Sequence, residues 1–302
     1  MGLDPLMVLA SAAVGFLVGL TGMGGGALMT PMLVLVFGVT PSSAITSDLV
    51  AALLMRPAGV LVHWRRGTIR GPLVRYLSYG SIPAALAGTA TLSILGHSAT
   101  AEHRLEVALG AALVLGGVAM VVRARRPGAG GARGRDLAPR RALTVAVGVL
   151  GGFMVGLTSV GAGSLVLVLL VALYPGLGND ELVGTDLAQS IPLTLAATIG
   201  TVLFNHVAFA LTASIVVGSV PAVVVGSLLS TRANGRGLRR VIAAVVVLSG
   251  LKYLGLATGA LGVVAVLEGL ALVAAALVGR RSVAEPVEDL GAALPARLDA
   301  HP

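Results

Sequence analysis

Four ionisable side chains lie inside apolar runs, where a charge loses its hydration and so marks a candidate site. Asp48 sits in AITSDLVAALLMRPAG, Arg56 follows eight residues later, Asp186 sits in LVGTDLAQSIPLTLA, and Glu268 sits in VVAVLEGLALVAA. On a helix rising 1.5 Å per residue, Asp48 and Arg56 are about 12 Å apart along the axis. A guanidinium with a planar fork of donors suits an oxyanion such as sulfite, a sulfonate or a carboxylate. The alternative is a fixed pairing of Arg56 with Asp48 or Asp186 that holds helices together. Each aspartate reads either as a proton or cation site that couples or gates, or as an N-terminal cap favoured by the helix dipole. Gln189, with Ser190 and Thr194, can line a polar path at little desolvation cost. His63, in HWRR, reads as an interface anchor, and His206, after Asn205, as part of a polar turn. Glu268 reads as packing within one chain or between copies, which leaves a homo-oligomer open.

A second kind of candidate is backbone. Residues 19–31 read GLTGMGGGALMTP and residues 156–168 read GLTSVGAGSLVLV. Each glycine inside a helix costs roughly 1 kcal/mol relative to alanine, so both stretches should break the helix. Unwound backbone at membrane depth survives only where protein buries it or where it lines a cavity. Helix starts exposed there point free N–H groups at anions. The expected substrate-binding set is therefore Thr21, Gly22, Gly24, Gly25 and Gly26 in the first break. Thr158, Ser159, Gly161, Gly163 and Ser164 complete it in the second, with Arg56 between them. The plainer reading is that the glycines only allow helices to pack closely.

Apolar helices must position these groups. The 302-residue chain is 56% hydrophobic and 11% charged, with mean hydropathy +0.96. A soluble domain carries about 25% charge, and apolar runs of about 18 residues or more read as membrane spans. The expected apolar segments are 5–37, 42–62, 72–95, 105–122, 142–173, 182–204, 208–230, 238–256 and 258–279. Residues 123–141 form an Arg/Gly-rich linker, and residues 282–302 an acidic, proline-containing tail expected to be disordered and cytoplasmic. The N-terminus lacks a basic region before its apolar run, so it is expected to be mature sequence and not a cleaved signal. With no cysteine, thiolate chemistry and Cys-bound metals are excluded, and no cofactor is implied.

The formal charge of +8 does not point to nucleic acid, because the arginines crowd into short loops at 63–75, 125–141 and 231–240. Short basic loops beside spans anchor the cytoplasmic side of a bilayer. The two halves also repeat. At an offset of 137, Gly15-Phe16 falls on Gly152-Phe153, and Gly24 and Gly26 fall on Gly161 and Gly163. At 138, Ser47-Asp48-Leu49 falls on Thr185-Asp186-Leu187, Gly80-Ser81-Ile82-Pro83 on Gly218-Ser219-Val220-Pro221, and Gly88 on Gly226. Arg56 falls on Thr194 and has no cationic mate. If both breaks crossed the membrane fully, the 231–240 arginines would lie outside. If each break is a re-entrant hairpin, every strongly basic loop lies inside. The expected fold is thus all-α and polytopic: two inverted repeats (1–122 and 142–256), each a re-entrant hairpin plus three spans, joined by the cytoplasmic linker. An extra span at 257–281 precedes the tail at 282–302.

Three function classes fit such a chain: a secondary transporter, a passive anion channel and an intramembrane enzyme. The enzyme has least support, since there is no cysteine, no HExxH and no base paired with Thr21 or Ser164. GMGGG lacks the GK[ST] of a phosphate-binding loop, so an ion gradient must supply the drive. Its ion, proton or sodium, is left open, as are substrate and direction.

The stretches GFLVGLTGMGGGALMTPMLVL, SDLVAALLMRPAGVLVHWRRGTIRG and YGSIPAALAG resemble the TauE/SafE family of membrane transporters, also called the sulfite exporter or DUF81-like group. GLTSVGAGSLV, VGTDLAQSIPLTLAATIG and VVGSVPAVVVGS carry the same resemblance in the second half, so that it covers most of residues 10–256. The resemblance implies export of sulfite, sulfoacetate or similar small anions across the plasma membrane. The family's Thr-Asp pair stands here as Ser47-Asp48 and Thr185-Asp186. Its frequent Thr-Lys pair stands as Met55-Arg56, keeping the charge with another headgroup. Histidines common in the family are replaced around Gln189 and at Thr201, so a histidine relay is not carried over.

The charge pattern makes a topological prediction that suits a cysteine-free chain. Ser43→Cys, Thr100→Cys and His206→Cys should each react with an impermeant thiol reagent in intact cells. Thr231→Cys should not react, and surface labelling there would overturn the hairpin reading.

Overall fold

The structure is a computed structural model, and it describes residues 4–21, 25–95, 99–125, 139–161, 165–229 and 235–256. All the described elements are helices: α1 (Pro5–Thr21), α2 (Gly26–Leu35), α3 (Pro41–Arg65), α4 (Gly71–Leu95), α5 (Ala99–Arg125), α6 (Arg141–Thr158), α7 (Leu165–Leu173), α8 (Asn179–Phe204), α9 (Phe209–Leu229) and α10 (Gly235–Tyr253). Each matches an apolar segment read from the sequence. The span expected at 258–279, with Glu268, lies outside the described residues, as do most of the linker and the acidic tail.

Length separates two kinds of helix. α3, α6, Glu181–Phe204 of α8 and α9 are long and apolar enough to cross a membrane. By contrast α2 has 10 residues and α7 has 9. At 1.5 Å per residue these reach about 15 Å, half of a hydrocarbon core about 30 Å thick. The glycine stretches are what shorten them, because the helix stops at Thr21 and Thr158 and restarts at Gly26 and Leu165.

Hydrogen bonds show which chain ends share a level. At one end, Asp4 N donates to Ser214 Oγ (3.3 Å), Ser42 Oγ to Glu102 Oε1 (2.7 Å) and Thr46 Oγ1 to the His206 carbonyl (3.4 Å). The starts of α1, α3, α5 and α9 therefore lie together. At the other end, Arg70 N donates to Thr185 Oγ1 (3.1 Å) and Arg70 Nη2 pairs with Glu181 Oε1 (2.7 Å). There too the chain returns on itself. Arg140 N, just before α6, donates to Tyr174 Oη (2.9 Å), just after α7, and Thr144 Oγ1 shares that phenol (2.6 Å). Charge is unevenly divided: Arg65, Arg66, Arg70, Arg75, Arg140 and Arg141 belong to the second end with Glu181, while Asp4, Glu102 and Glu106 belong to the first with Arg104.

The halves interlock through their glycines. α1 runs along α9: an added Cβ at Gly15 would lie 2.6 Å from the Ser219 carbonyl oxygen, and one at Gly226 would strike that of Phe16. α6 runs along α4 by the same rule, with Gly152 against Ser81 and Gly88 against Phe153. These are equivalent pairs at the sequence offsets of 137 and 138. Gly19 with Val223 matches Gly156 with Ala85, and Gly218 with Val8 matches Gly80 with Val145. Without a hydrophobic drive between helices in lipid, such close backbone approach is how they adhere. Between these two pairs, α3 and α8 cross antiparallel, with Thr198 Oγ1 donating to the Leu49 carbonyl (3.2 Å) and Gly59 beside Leu187.

A side chain at one of these glycines should part the helices. Gly156→Val would drive a branched side chain into the Ala85 backbone and cost about 1–3 kcal/mol, as overpacking does. Gly71→Ala, where an added Cβ meets open space, should change stability by less than about 0.5 kcal/mol. Thermal unfolding midpoints of the two purified variants in detergent check this. Equal midpoints would remove the packing role.

Candidate functional site

The two glycine breaks meet. The Cα of Gly26 faces the backbone of Ser159 so closely that an added Cβ would overlap the Ser159 carbonyl. Ser159 ends α6 in the left-handed region (φ 58°), and among the described residues it alone does so without being glycine. Such a conformation costs about 1–3 kcal/mol and persists where its surroundings hold it. Here the hold is polar: Ser159 Oγ donates to Asp48 Oδ2 (2.8 Å), and Thr30 Oγ1 of α2 donates to the same oxygen (2.9 Å). One carboxylate of α3 thereby ties the helix after the first break to the cap of the second.

Asp48 is fully buried and makes no salt bridge. Its Oδ1 has no hydrogen-bond partner among the described residues. That oxygen lies near the start of α2, 3.9 Å from the position a Cβ of Gly25 would take, with the Met55 methyl 3.0 Å from the same point. Gly25 is the N-cap of α2 and supplies no side-chain cap, so the positive end of α2 faces the carboxylate. The cap alternative for the aspartates is corrected here. Asp48 and Asp186 are each the eighth residue of their helix, beyond the first turn, and Asp48 is bonded by other elements.

Arg56 lies two turns further along α3, near the crossing with α8, and is 7% exposed. Its Nη1 donates to the Ser190 carbonyl (2.9 Å), which Thr194 Oγ1 also approaches, while its Nε is buried with no partner among the described residues. Arg56 and Thr194, aligned by the repeat, thus converge on one carbonyl. Asp186 and Asp48 are the two carboxylates whose charges reach Arg56. Asp186 is buried too, and the residues aligned with Thr30 and Ser159 in the repeat are Leu167 and Gly22. Gln189 Nε2 donates to Ser81 Oγ (2.7 Å), leaving Oε1 buried without a partner.

Other candidates take different places. Thr158 Oγ1 donates to the Met154 carbonyl (2.7 Å) and accepts from Val160 N (3.2 Å), so this hydroxyl closes its own helix end. Gly161 (φ 131°) needs glycine, and its carbonyl receives the first amides of α7 from Leu165 and Val166. Gly22, Gly24, Gly163 and Ser164 lie outside the described residues, as does the side chain of Thr21. His63 bonds Thr68 at the basic end, and His206 is exposed at the other, away from the breaks. Reading the sequence missed Thr30 and Ser81. Thr30 carried a signal, being a hydroxyl in a short apolar helix where the repeat has Leu167. Ser81 belongs to the repeated GS-x-P motif, read there only as evidence of duplication.

Several helices long and apolar enough to span, with a buried polar centre holding a carboxylate, a guanidinium and a carboxamide, define a multi-pass helical membrane protein. Residues 7–253 match the family described as Sulfite exporter TauE/SafE, and the chain belongs to that family of plasma-membrane proteins. It is similar to the probable membrane transporter protein YjnA of Bacillus subtilis (strain 168), 39% identical over 254 residues, covering 82% of this chain and 98% of that relative. It is also similar to a probable membrane transporter protein of Xylella fastidiosa (strain Temecula1 / ATCC 700964), 27% identical over 248 residues, covering 78% of this chain and 88% of that relative. No solved structure matches.

The bonds on Asp48 can be weighed by removing donors. Thr30→Val and Ser159→Ala should each cost about 1–3 kcal/mol, the penalty of a buried acceptor left unmade. Thr91→Ala, whose hydroxyl only bonds the Ala87 carbonyl of its own exposed turn, should cost less than about 0.5 kcal/mol. In an Asp48→Asn background the first two losses should shrink. Unfolding midpoints that rank all three alike would dismiss the carboxylate as their partner.

Proposed function

We propose that the chain is a secondary transporter, working as an exporter, of a small oxyanion or organosulfonate such as sulfite or sulfoacetate, coupled to an ion gradient. The observation that carries this reading is the contact of Gly26 with Ser159 beside a buried carboxylate and a buried guanidinium with spare donor capacity. Family membership supports the transport class. The family's description, Sulfite exporter, supplies the direction and kind of substrate, and both relatives are described as probable membrane transporters.

On this reading the halves are inverted repeats, each a re-entrant hairpin followed by three spans. The return of Tyr174 to Arg140 and the reciprocal packing of α1 on α9 and α6 on α4 support it. The arginine-rich end then faces the cytoplasm, as the bias of basic loops requires. Alternating access is rocking of the interlocked pairs about the crossing of α3 and α8, which exposes the breaks first to one side and then to the other. Arg56 supplies the fixed positive charge for the anion, through the Nε–H left over from its bond to Ser190. Gly25, Gly26, Ser159 and Gly161, with the neighbouring Thr21, Gly22, Gly24, Gly163 and Ser164, supply backbone donors and closeness. Asp48, Asp186 and Gln189 serve coupling and gating.

A ligand-stabilisation screen of purified protein with sulfite, sulfate, thiosulfate, sulfoacetate and taurine tests the reading, since a bound ligand raises stability by RT ln(1 + [L]/Kd). Sulfite or a sulfonate should stabilise the wild type. Arg56→Gln should weaken that ligand at least about tenfold and Arg56→Lys less, because lysine keeps the charge but loses the fork. Unchanged affinity in Arg56→Gln would end the binding role. Full rescue by adding Asp186→Asn would make the arginine a structural counter-charge. Saturable counterflow in proteoliposomes separates a transporter from a channel, which cannot produce it.

A further inference from the structure

We propose that Arg75, Tyr76 and Arg141, at the heads of α4 and α6, seat the headgroup phosphate of an anionic phospholipid from the surrounding bilayer. The site lies apart from the buried centre and stands whether or not the chain moves sulfite.

These residues meet because α4 and α6 run side by side in one direction. Gly80 lies against Val145 and Val149, and Gly88 against Phe153 and Leu157. The starts of both helices therefore share the basic end. There Tyr76 is half-buried, and its ring carries two cations. The guanidinium of Arg75 lies 5.7 Å from the ring centroid and that of Arg141 lies 5.8 Å from it. Tyr79, one turn on, meets the same ring edge-on at 6.3 Å. Arg75, Arg141 and the neighbouring Arg140 are exposed, and none has a salt bridge among the described residues. Glu181, at the same end, is already paired with Arg70. Two guanidiniums gathered on one ring repel each other. An anion with several acceptor oxygens turns that repulsion into attraction, and a phosphodiester matches the fork of each guanidinium.

The duplicated half is a control within the molecule. At the repeat offsets Arg141 falls on Asp4, Tyr76 on Ser214, Arg75 on Ala213 and Tyr79 on Val217. The contact itself is kept, since Asp4 N donates to Ser214 Oγ (3.3 Å). At that end, however, the start of α1 has its own anion. Asp4 Oδ1 accepts from Leu6 N (2.9 Å) and Met7 N (3.3 Å). The start of α6 has no side-chain cap, and a cation stands where Asp4 would be. Close packing needs neither the arginines nor the tyrosine, because α1 and α9 pack through equivalent glycines without them.

Position selects a lipid over a dissolved anion. The span ends of a multi-pass protein lie at headgroup level, where tyrosines and arginines concentrate. Basic pockets between spans are where anionic headgroups bind. Beyond Arg75, Tyr79, Pro83 and Ala87 follow at four-residue steps on one exposed face of α4, a track for an acyl chain. Linker residues 126–138 hold three arginines and a single acid, Asp136, so their net charge does not complement the cluster. The acidic tail at 282–302 is the remaining rival, and its removal is part of the test.

Native mass spectrometry of the purified full-length protein in detergent, titrated with phosphatidylglycerol, phosphatidylethanolamine or inorganic phosphate, decides the matter. Phosphatidylglycerol should bind, and neither the zwitterionic lipid nor free phosphate should match it. Arg75→Gln with Arg141→Gln should weaken it roughly twentyfold, because each cation near an anionic headgroup is worth about a fivefold change. Arg65→Gln with Arg66→Gln removes the same charge from the same end and should leave it nearly unchanged. Tyr76→Leu keeps both charges and should cost about two- to fivefold, the worth of an exposed cation–π contact. That variant keeps the test decisive if the double variant does not fold. Equal losses in the two arginine pairs would reduce the site to net charge and overturn the proposal. Unchanged affinity in Arg75→Gln with Arg141→Gln, or equal binding of phosphatidylethanolamine, would overturn it too. Full competition by inorganic phosphate would make the ligand a dissolved anion. Binding that appears only after deletion of 282–302 would make the tail the occupant. A dimer lost in Arg75→Gln with Arg141→Gln would make it a second copy, and each of these three outcomes defeats the lipid.

Discussion

A backbone that stops being helical inside a bilayer finds no water for its freed N–H and C=O groups, so it must be covered by protein. In this chain the residues that flank the two glycine stretches lie against each other. Gly26 rests on Ser159, and Asp48 bonds both sides of the contact through Thr30 and Ser159. The rest of the architecture serves that meeting. α2 and α7 are the short helices that follow the two glycine stretches, and α1 and α6 lead up to them. The glycine faces that pair α1 with α9 and α4 with α6 let the four backbones come close enough for the two tips to touch.

The scaffold is close to symmetric in its packing and is not symmetric in its chemistry. Four glycine contacts recur at the repeat offsets, yet Arg56 aligns with Thr194 and Thr30 with Leu167. Packing is indifferent to such exchanges as long as volume and closeness are kept. A fixed charge, however, needs a single location. With two guanidiniums at the crossing of α3 and α8, like charges would sit close together at low dielectric. With one arginine and one threonine sharing the Ser190 carbonyl, the crossing holds one positive centre with donor capacity to spare. In the same way Thr30 and Ser159, the two hydroxyl donors to Asp48, align with Leu167 and Gly22.

Charge at the ends and charge in the middle stand in different surroundings. Arginines at the ends of α3, α4 and α6 are exposed, and Tyr76 lies against the guanidiniums of Arg75 (5.7 Å) and Arg141 (5.8 Å). Desolvation there is slight. Asp48 and Arg56, by contrast, are sealed from water, and a buried unpaired charge costs several kcal/mol. The chain retains that cost at the one place where its two breaks converge.

Sequence alone was enough for the helical class, the family, the approximate positions of the described helices, and the buried Asp48, Arg56 and Asp186. These follow from composition and periodicity, because an apolar run long enough to span a bilayer has few alternatives and because repeated glycines and aspartates stay in register. It did not tell whether Asp48 caps its helix or faces another element. Cap and core carboxylates look alike in one dimension, and the distinction is made by α2 and by the end of α6, distant in sequence from Asp48. Nor did it reveal that the hydroxyl of Thr158 turns back on its own helix while that of its neighbour Ser159 reaches across. That choice depends on the left-handed turn at Ser159, which exists because Gly26 lies against it. Long-range packing decides such angles, so Thr30 became legible as a partner of Asp48 only when α2 was folded against α3.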